Sequence, residues 1–101
     1  MSIKAVTWAF EQRLNDSVAK LVLIGIADRY NPDLGYAYPS VVWLAQVADC
    51  AERTVQRKLG ILQEIGMITV LASPSTDQKT RGAKKYNLPA LEGVTQFFFF
   101  F

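Results

Sequence analysis

The chain contains no histidine and a single cysteine, Cys50. An internal disulfide is therefore excluded, and the commonest metal ligand and the commonest general base are both missing. A lone thiol beside acids, with no imidazole near it in the sequence, reads as a small apolar side chain and not as a redox sensor. Long apolar runs are missing too. The longest, LVLIGIA at 21–27, is bracketed by Lys20 and Asp28 and falls far short of the roughly 20 residues that a membrane span needs. No basic-then-apolar leader opens the chain. Glycine-rich phosphate loops, metal-ligand clusters and nucleophile-and-base pairs do not occur. Asp28, Asn31, Asp33 and Gly35 lie close together but lack the alternate-ligand spacing and the closing glutamate of a calcium loop. The absences point away from an enzyme, a cofactor, a metal and a membrane, and toward a cytoplasmic protein.

What is present fits one globular domain: 101 residues, half of them hydrophobic and a fifth charged. The net charge of +2 is small, but its distribution is uneven. Residues 51–88 hold Arg53, Arg57, Lys58, Lys79, Arg81, Lys84 and Lys85 against Glu52, Glu64 and Asp77, a local balance of +4. Residues 1–50 carry four basic and five acidic side chains. Basic charge is thus concentrated where a nucleic-acid footprint would need it.

The apolar pattern predicts the elements. In residues 3–14, Val6, Phe10 and Leu14 recur at steps of four, with Trp8 on a different azimuth, which predicts a short amphipathic helix. Asn15, Asp16 and Ser17 offer capping oxygens to a second helix, SVAKLVLIGIADRY, apolar nearly all round and so central. Asn31, Pro32 and Gly35 end it in a loop. Tyr36 to Tyr38 could add one short strand. Ser40 is the expected N-cap of VVWLAQVAD, whose Val41, Leu44, Ala45 and Ala48 recur at helical spacing. A break at Asp49 and Cys50 then separates two short helices, which must cross steeply, as in a helix-turn-helix.

In the last helix, 51–64, Val55, Leu59 and Leu62 form the apolar stripe, and Arg53, Arg57, Gly60 and Glu64 fall opposite, with Thr54 and Gln56 on the flanks. Gly66 is the expected left-handed stop. MITVL at 67–71 and KKYNL at 84–88 read as strands, with turn formers and charges at 73–82 between them. The fold class is therefore mainly α with a small β-ribbon: a three-helix core, a two-stranded wing and a short extra N-terminal helix.

Three stretches, WAFEQRLNDSVAKLVLIGIAD, YPSVVWLAQVADCAERTVQRKLGILQEIGMI and RGAKKYNL, resemble the winged helix-turn-helix domain often found at the N-terminus of bacteriophage and plasmid replication proteins and of mobile-element regulators. The likeness covers roughly residues 6–88 and is most specific at YPS (38–40), ERTVQRKL (52–59) and EIGMI (64–68). It implies a DNA-binding module for an operator or an origin. The chain departs from the pattern at Ala51, where a Ser or Thr usually caps the recognition helix, and at Asp49, where glycine is common. The missing cap weakens the helix start by about 0.5–2 kcal/mol, unless Asp49 reaches the free amides. The family often continues into a second region, whereas here PALEGVTQFFFFF follows.

The resemblance gives the side chains their roles. Arg53 and Arg57, one turn apart, carry the planar fork that matches guanine, Gln56 suits adenine, and the Thr54 hydroxyl suits a base edge or a phosphate. Outward arginines are also ordinary solvating groups. Lys79, Arg81, Lys84 and Lys85 belong to the wing, 73–85, and suit the phosphate backbone or a minor groove, although charged hairpin tips also serve solubility alone. Ser40 caps its helix, contacts a phosphate, or does both. Lys58 lays its stem along the core, and Trp8, Phe10, Trp43 and the tyrosines are expected to pack there.

The functional expectation is a sequence-specific double-stranded DNA-binding protein, a bacterial or mobile-element transcriptional regulator associated with the nucleoid when bound. The alternatives are the origin-binding domain of a phage or plasmid replication initiator and a winged-helix protein-interaction module, with a replication or transcription protein as partner. A homodimer would form through residues 3–14 or 89–101. Residues 1–88 form the expected domain and 89–101 an apolar tail. Its run Phe97–Phe101 reads either as an interface or as the product of frame slippage on a thymine-rich tract that truncates a longer protein.

Overall fold

A computed structural model describes residues 3–71 and 84–91. Four helices, α1 (Ile3–Glu11), α2 (Ser17–Arg29), α3 (Val41–Ala48) and α4 (Glu52–Glu64), precede two strands, β1 (Thr69–Leu71) and β2 (Lys85–Asn87). The strands pair antiparallel, with Val70 opposite Tyr86. The molecule is mainly helical with a small two-stranded sheet, as the pattern predicts.

α2 is the hub. Asp16 holds an extended backbone, and its carboxylate accepts the Ala19 amide at 3.0 Å, which starts the helix. Ala19, Val22, Leu23, Gly25, Ile26 and Ala27 are buried, and the helix packs against α1, α3 and α4. Gly25 sets the approach of α3: a Cβ there would stand 2.9 Å from Leu44 Cδ2 and 3.4 Å from Trp43 Cζ3.

The face of α1 differs from the expected one. Ala5, Trp8 and Ala9 are buried, Val6 and Leu14 pack only partly, and Phe10 is 58% exposed. Two alanines let the helix lie close to α2, and the indole buries more area than the aliphatic stripe would, so Trp8 takes the inner face. The aromatics divide accordingly. Trp8, Tyr30 and Tyr86 are core residues, Tyr36 and Trp43 are half-buried, and Phe10 and Tyr38 are exposed.

The expected strand at Tyr36 to Tyr38 reduces to single bridges. Asn31 pairs with Tyr36, closing a turn in which Asn31 Oδ1 accepts the Asp33 and Leu34 amides. Ala37 exchanges two hydrogen bonds with Tyr86, at 2.8 and 2.7 Å, and so docks the segment before α3 onto β2.

Between α3 and α4, Asp49 adopts the left-handed conformation (φ 53°, ψ 52°) and its amide donates to Ala45 and Gln46 carbonyls. Asp49 thus fills the glycine position of the turn as a C-cap. Ala51 has N-cap dihedrals but supplies no side-chain cap to α4. Gly66 (φ 81°) ends α4, and Met67 N–H donates back to Leu62 O at 2.9 Å. Leu88 and Leu91 are both buried in the core cluster, and 89–91 form a helical turn. No helix among the described residues is long and apolar enough to cross a membrane.

Candidate nucleic-acid interface

α4 buries Val55, Leu59 and Leu62 against α2 and α3, which turns Arg53, Gln56 and Arg57 out to solvent. Thr54 is half-buried on one flank. Neither Arg53 nor Arg57 forms an ion pair with a described residue. Asp49 and Glu52 are exposed at the N-terminal end of the helix, next to Arg53 in its first turn.

Gln56 points to the other flank, into a groove of about 600 Å³ between α4, the start of α3 and the sheet. Ser40, Val42, Gly60, Gln63 and Lys84 share its walls. The groove thus unites Ser40, Gln56 and Lys84, residues 44 apart in the chain at their extremes. Ser40 Oγ accepts the Trp43 amide at 3.0 Å, so the capping role is in place while the hydroxyl hydrogen remains free to donate.

Lys84 and Lys85 part company. Lys84 is exposed on the groove side, whereas Lys85, on the opposite face of the strand, places its ammonium 4.9 Å from the Tyr36 ring centroid. Lys79 and Arg81 lie outside the described residues.

Lys58 is not part of this surface. Its Nζ donates to Asp16 Oδ2 at 2.7 Å, with both side chains about a quarter exposed. The Lys58 hydrogen bond, helped by the Ala19 amide, holds the Asp16 carboxyl below its ordinary pKa. The contact ties α4 to the N-cap of α2.

Sequence reasoning missed Arg29. Its guanidinium lies over the Trp43 ring, 4.3 Å from the centroid, and its Nε stands 3.9 Å from Asp28. Both residues line a second cavity, of about 450 Å³, with Asn31, Tyr38 and Ser40. The only hint was a basic residue in the last turn of a helix. The stack depends on Gly25 admitting Trp43, which no local pattern reveals.

Comparison with known protein families, with curated proteins and with solved structures finds no match to this chain. Function must therefore be argued from the surface itself. Among the described residues no group of His, Cys, Asp or Glu is clustered as metal ligands. What the surface offers is hydrogen-bond donors of positive charge on a convex helix, bordered by a groove whose walls also donate.

Proposed function

We propose that this chain is a winged helix-turn-helix protein that binds double-stranded DNA sequence-specifically, as a transcriptional regulator. α4 enters the major groove, where Arg53 and Arg57 address guanine and Gln56 an adenine. Ser40 and Lys84 hold the flanking backbone, with Lys79 and Arg81 in the wing segment as further backbone contacts, and Lys85 contributes only by leaving Tyr36. The observation that carries the reading is the meeting of Ser40, Gln56 and Lys84 at one groove on the helix that carries Arg53 and Arg57, neither of which has an ion-pair partner among the described residues.

A second copy is the partner best suited to α1. Ile3 and Phe10, 78% and 58% exposed, stand two turns apart on its outward face, with the half-buried Val6 between them. Lys4 and Glu11, both exposed, flank it. Two such helices packed antiparallel about a two-fold axis set Lys4 against the partner's Glu11 twice over, a self-complementary arrangement.

The test is selection of bound genome fragments by the purified chain, followed by affinity measurement on the recovered site. Arg53→Ala and Arg57→Ala each weaken binding by about 1–3 kcal/mol and relax sequence preference, while Lys84→Ala weakens all duplexes alike. Inverted repeats beside a promoter support the dimeric regulator. Tandem repeats beside a replication gene move the reading to an origin-binding domain. If both arginine variants bind the selected site as tightly as the parent, the major-groove assignment is wrong.

A further inference from the structure

We infer that Arg29, whose guanidinium lies over the Trp43 ring, is a backbone-phosphate contact that extends the DNA footprint beyond Ser40, on the side opposite the α4 groove. The inference rests on the DNA-binding reading and adds a residue and a flank to it.

Ser40 lines both cavities. A duplex whose backbone passes Ser40 from the Lys84 side therefore continues over the cavity that holds Arg29. The donors there outnumber the acceptors. Arg29 Nε stands 3.9 Å from the Asp28 carboxylate, beyond hydrogen-bond distance, and the two terminal nitrogens of the fork have no ion-pair partner among the described residues. Asn31 spends its side-chain oxygen on the Asp33 and Leu34 amides, which leaves its NH2 for another acceptor. The Ser40 hydroxyl hydrogen and the exposed Tyr38 hydroxyl complete the set. Asp28 is the one carboxylate in the lining, and it repels an arriving phosphate.

The Trp43 ring matters because a free arginine gives up much side-chain freedom on binding. Here the stack at 4.3 Å has already restricted the guanidinium, and the planar fork suits a phosphodiester with two parallel N–H bonds. Lysine in its place would keep the charge and lose both the fork and the stack.

The experiment measures affinity for the selected duplex and for a scrambled duplex, across a salt series, for the parent, Arg29→Ala, Arg29→Lys and Asp28→Asn. Each variant's melting temperature is taken alongside. Arg29→Ala is expected to weaken both duplexes by a similar factor, about 5- to 10-fold, and to lower the slope of log affinity against log salt by about one. Arg29→Lys should keep the slope and lose part of the affinity. Asp28→Asn should tighten both duplexes a few-fold, a gain that damage to the fold would not produce. Inorganic phosphate at millimolar concentration is the control for a small-anion site. Protection of the melting temperature by phosphate, with DNA affinity unchanged in Arg29→Ala, overturns the proposal in favour of a free anion. Unchanged affinity and slope in Arg29→Ala, while Arg53→Ala and Arg57→Ala still bind weakly, overturns it and leaves the groove reading standing. If Arg29→Ala, Arg53→Ala and Arg57→Ala all bind as the parent does, this contact and the major-groove assignment are both wrong, and a parent chain that selects no duplex at all sinks the DNA-binding reading itself.

Discussion

Asp16 performs two tasks that can be separated. It caps α2 through the Ala19 amide and it accepts the Lys58 ammonium. Loss of an N-cap costs about 0.5–2 kcal/mol, and a hydrogen bond to a charged group is worth about 1.5–3 kcal/mol, to be taken at its lower end for a pair open to water. Asp16→Ala should therefore destabilise the chain by about 2–3 kcal/mol, while Asp16→Asn, which keeps the cap, and Lys58→Met should each cost about 1 kcal/mol. The double variant Asp16→Asn/Lys58→Met should cost less than the two singles together, because both remove one contact. Urea unfolding followed by tryptophan fluorescence reads these differences. The pH dependence gives an independent check. The folded-state pKa of Asp16 is depressed, so its contribution is complete above the ordinary carboxylate range near pH 4 and is lost as pH falls through the lowered value. The penalty of Asp16→Asn should be full at pH 7 and smaller at an acid pH below the ordinary carboxylate range. An equal penalty at both pH values would refute the charge argument. Lys58→Met must also leave the salt dependence of DNA binding unchanged, since a lysine already bonded to Asp16 releases no phosphate counterion; a slope lower by about one would show that Lys58 belongs to the interface.

Three other perturbations follow from the fold. Ala51→Ser should add about 1 kcal/mol in urea unfolding, because Ala51 already has N-cap dihedrals (φ −71°, ψ 152°) and lacks only the oxygen; no gain would mean that water already satisfies those amides equally well. Gly60→Ala should stabilise by about 0.5–1 kcal/mol, since a Cβ there meets nothing within 4 Å, whereas Gly25→Ala should destabilise, since its Cβ would press on the buried Leu44. Thermal melts of the two variants should shift in opposite directions, and a shared sign would undo the packing argument. Phe10→Glu should leave the melting temperature nearly unchanged and abolish pairing on an inverted-repeat duplex in sedimentation; a parent chain that stays monomeric on that duplex would remove α1 as the pairing surface.

Where the sequence was legible, local chemistry and packing agreed. Ser40 and Asp16 are caps, Gly66 is a left-handed stop, and Val55, Leu59 and Leu62 are the inner face of α4, because each is decided within a turn or two of the chain. α1 was misread because it is apolar on two faces. Periodicity finds a stripe but cannot say which of two stripes meets the core, and here the bulk of Trp8 between two alanines decided. Lys58 with Asp16, Arg29 with Trp43 and Lys85 with Tyr36 were illegible for another reason. Each joins residues 14 or more positions apart, so the contact exists only once separate elements have packed. Of the expected interface, the sequence found the residue types, and the fold sorted them: Gln56, Ser40 and Lys84 to one groove, Lys85 away from it.

The charge on this surface bears on copy number. On the DNA-binding reading, Arg29, Lys79, Arg81 and Lys84 face phosphates while Arg53 and Arg57 face bases. Four phosphates per protomer give a salt slope near −3.6, which loses about 150-fold in affinity between 50 and 200 mM salt. Two or three base contacts at about 1–3 kcal/mol each discriminate by only a few orders of magnitude, fewer than the millions of competing sites in a genome demand. A single protomer is thus too weak and too permissive to hold one site, and two protomers on adjoining half-sites double both terms. The α1 stripe is suited to that task and to no stronger one. Ile3, Val6 and Phe10 offer on the order of a few hundred Å² per protomer, well under the roughly 800 Å² that a stable interface buries on each side. Such a pair does not persist free in solution at low concentration. DNA that presents two half-sites supplies the missing proximity, so assembly and site recognition become one step, and the half-site spacing itself becomes part of what is read.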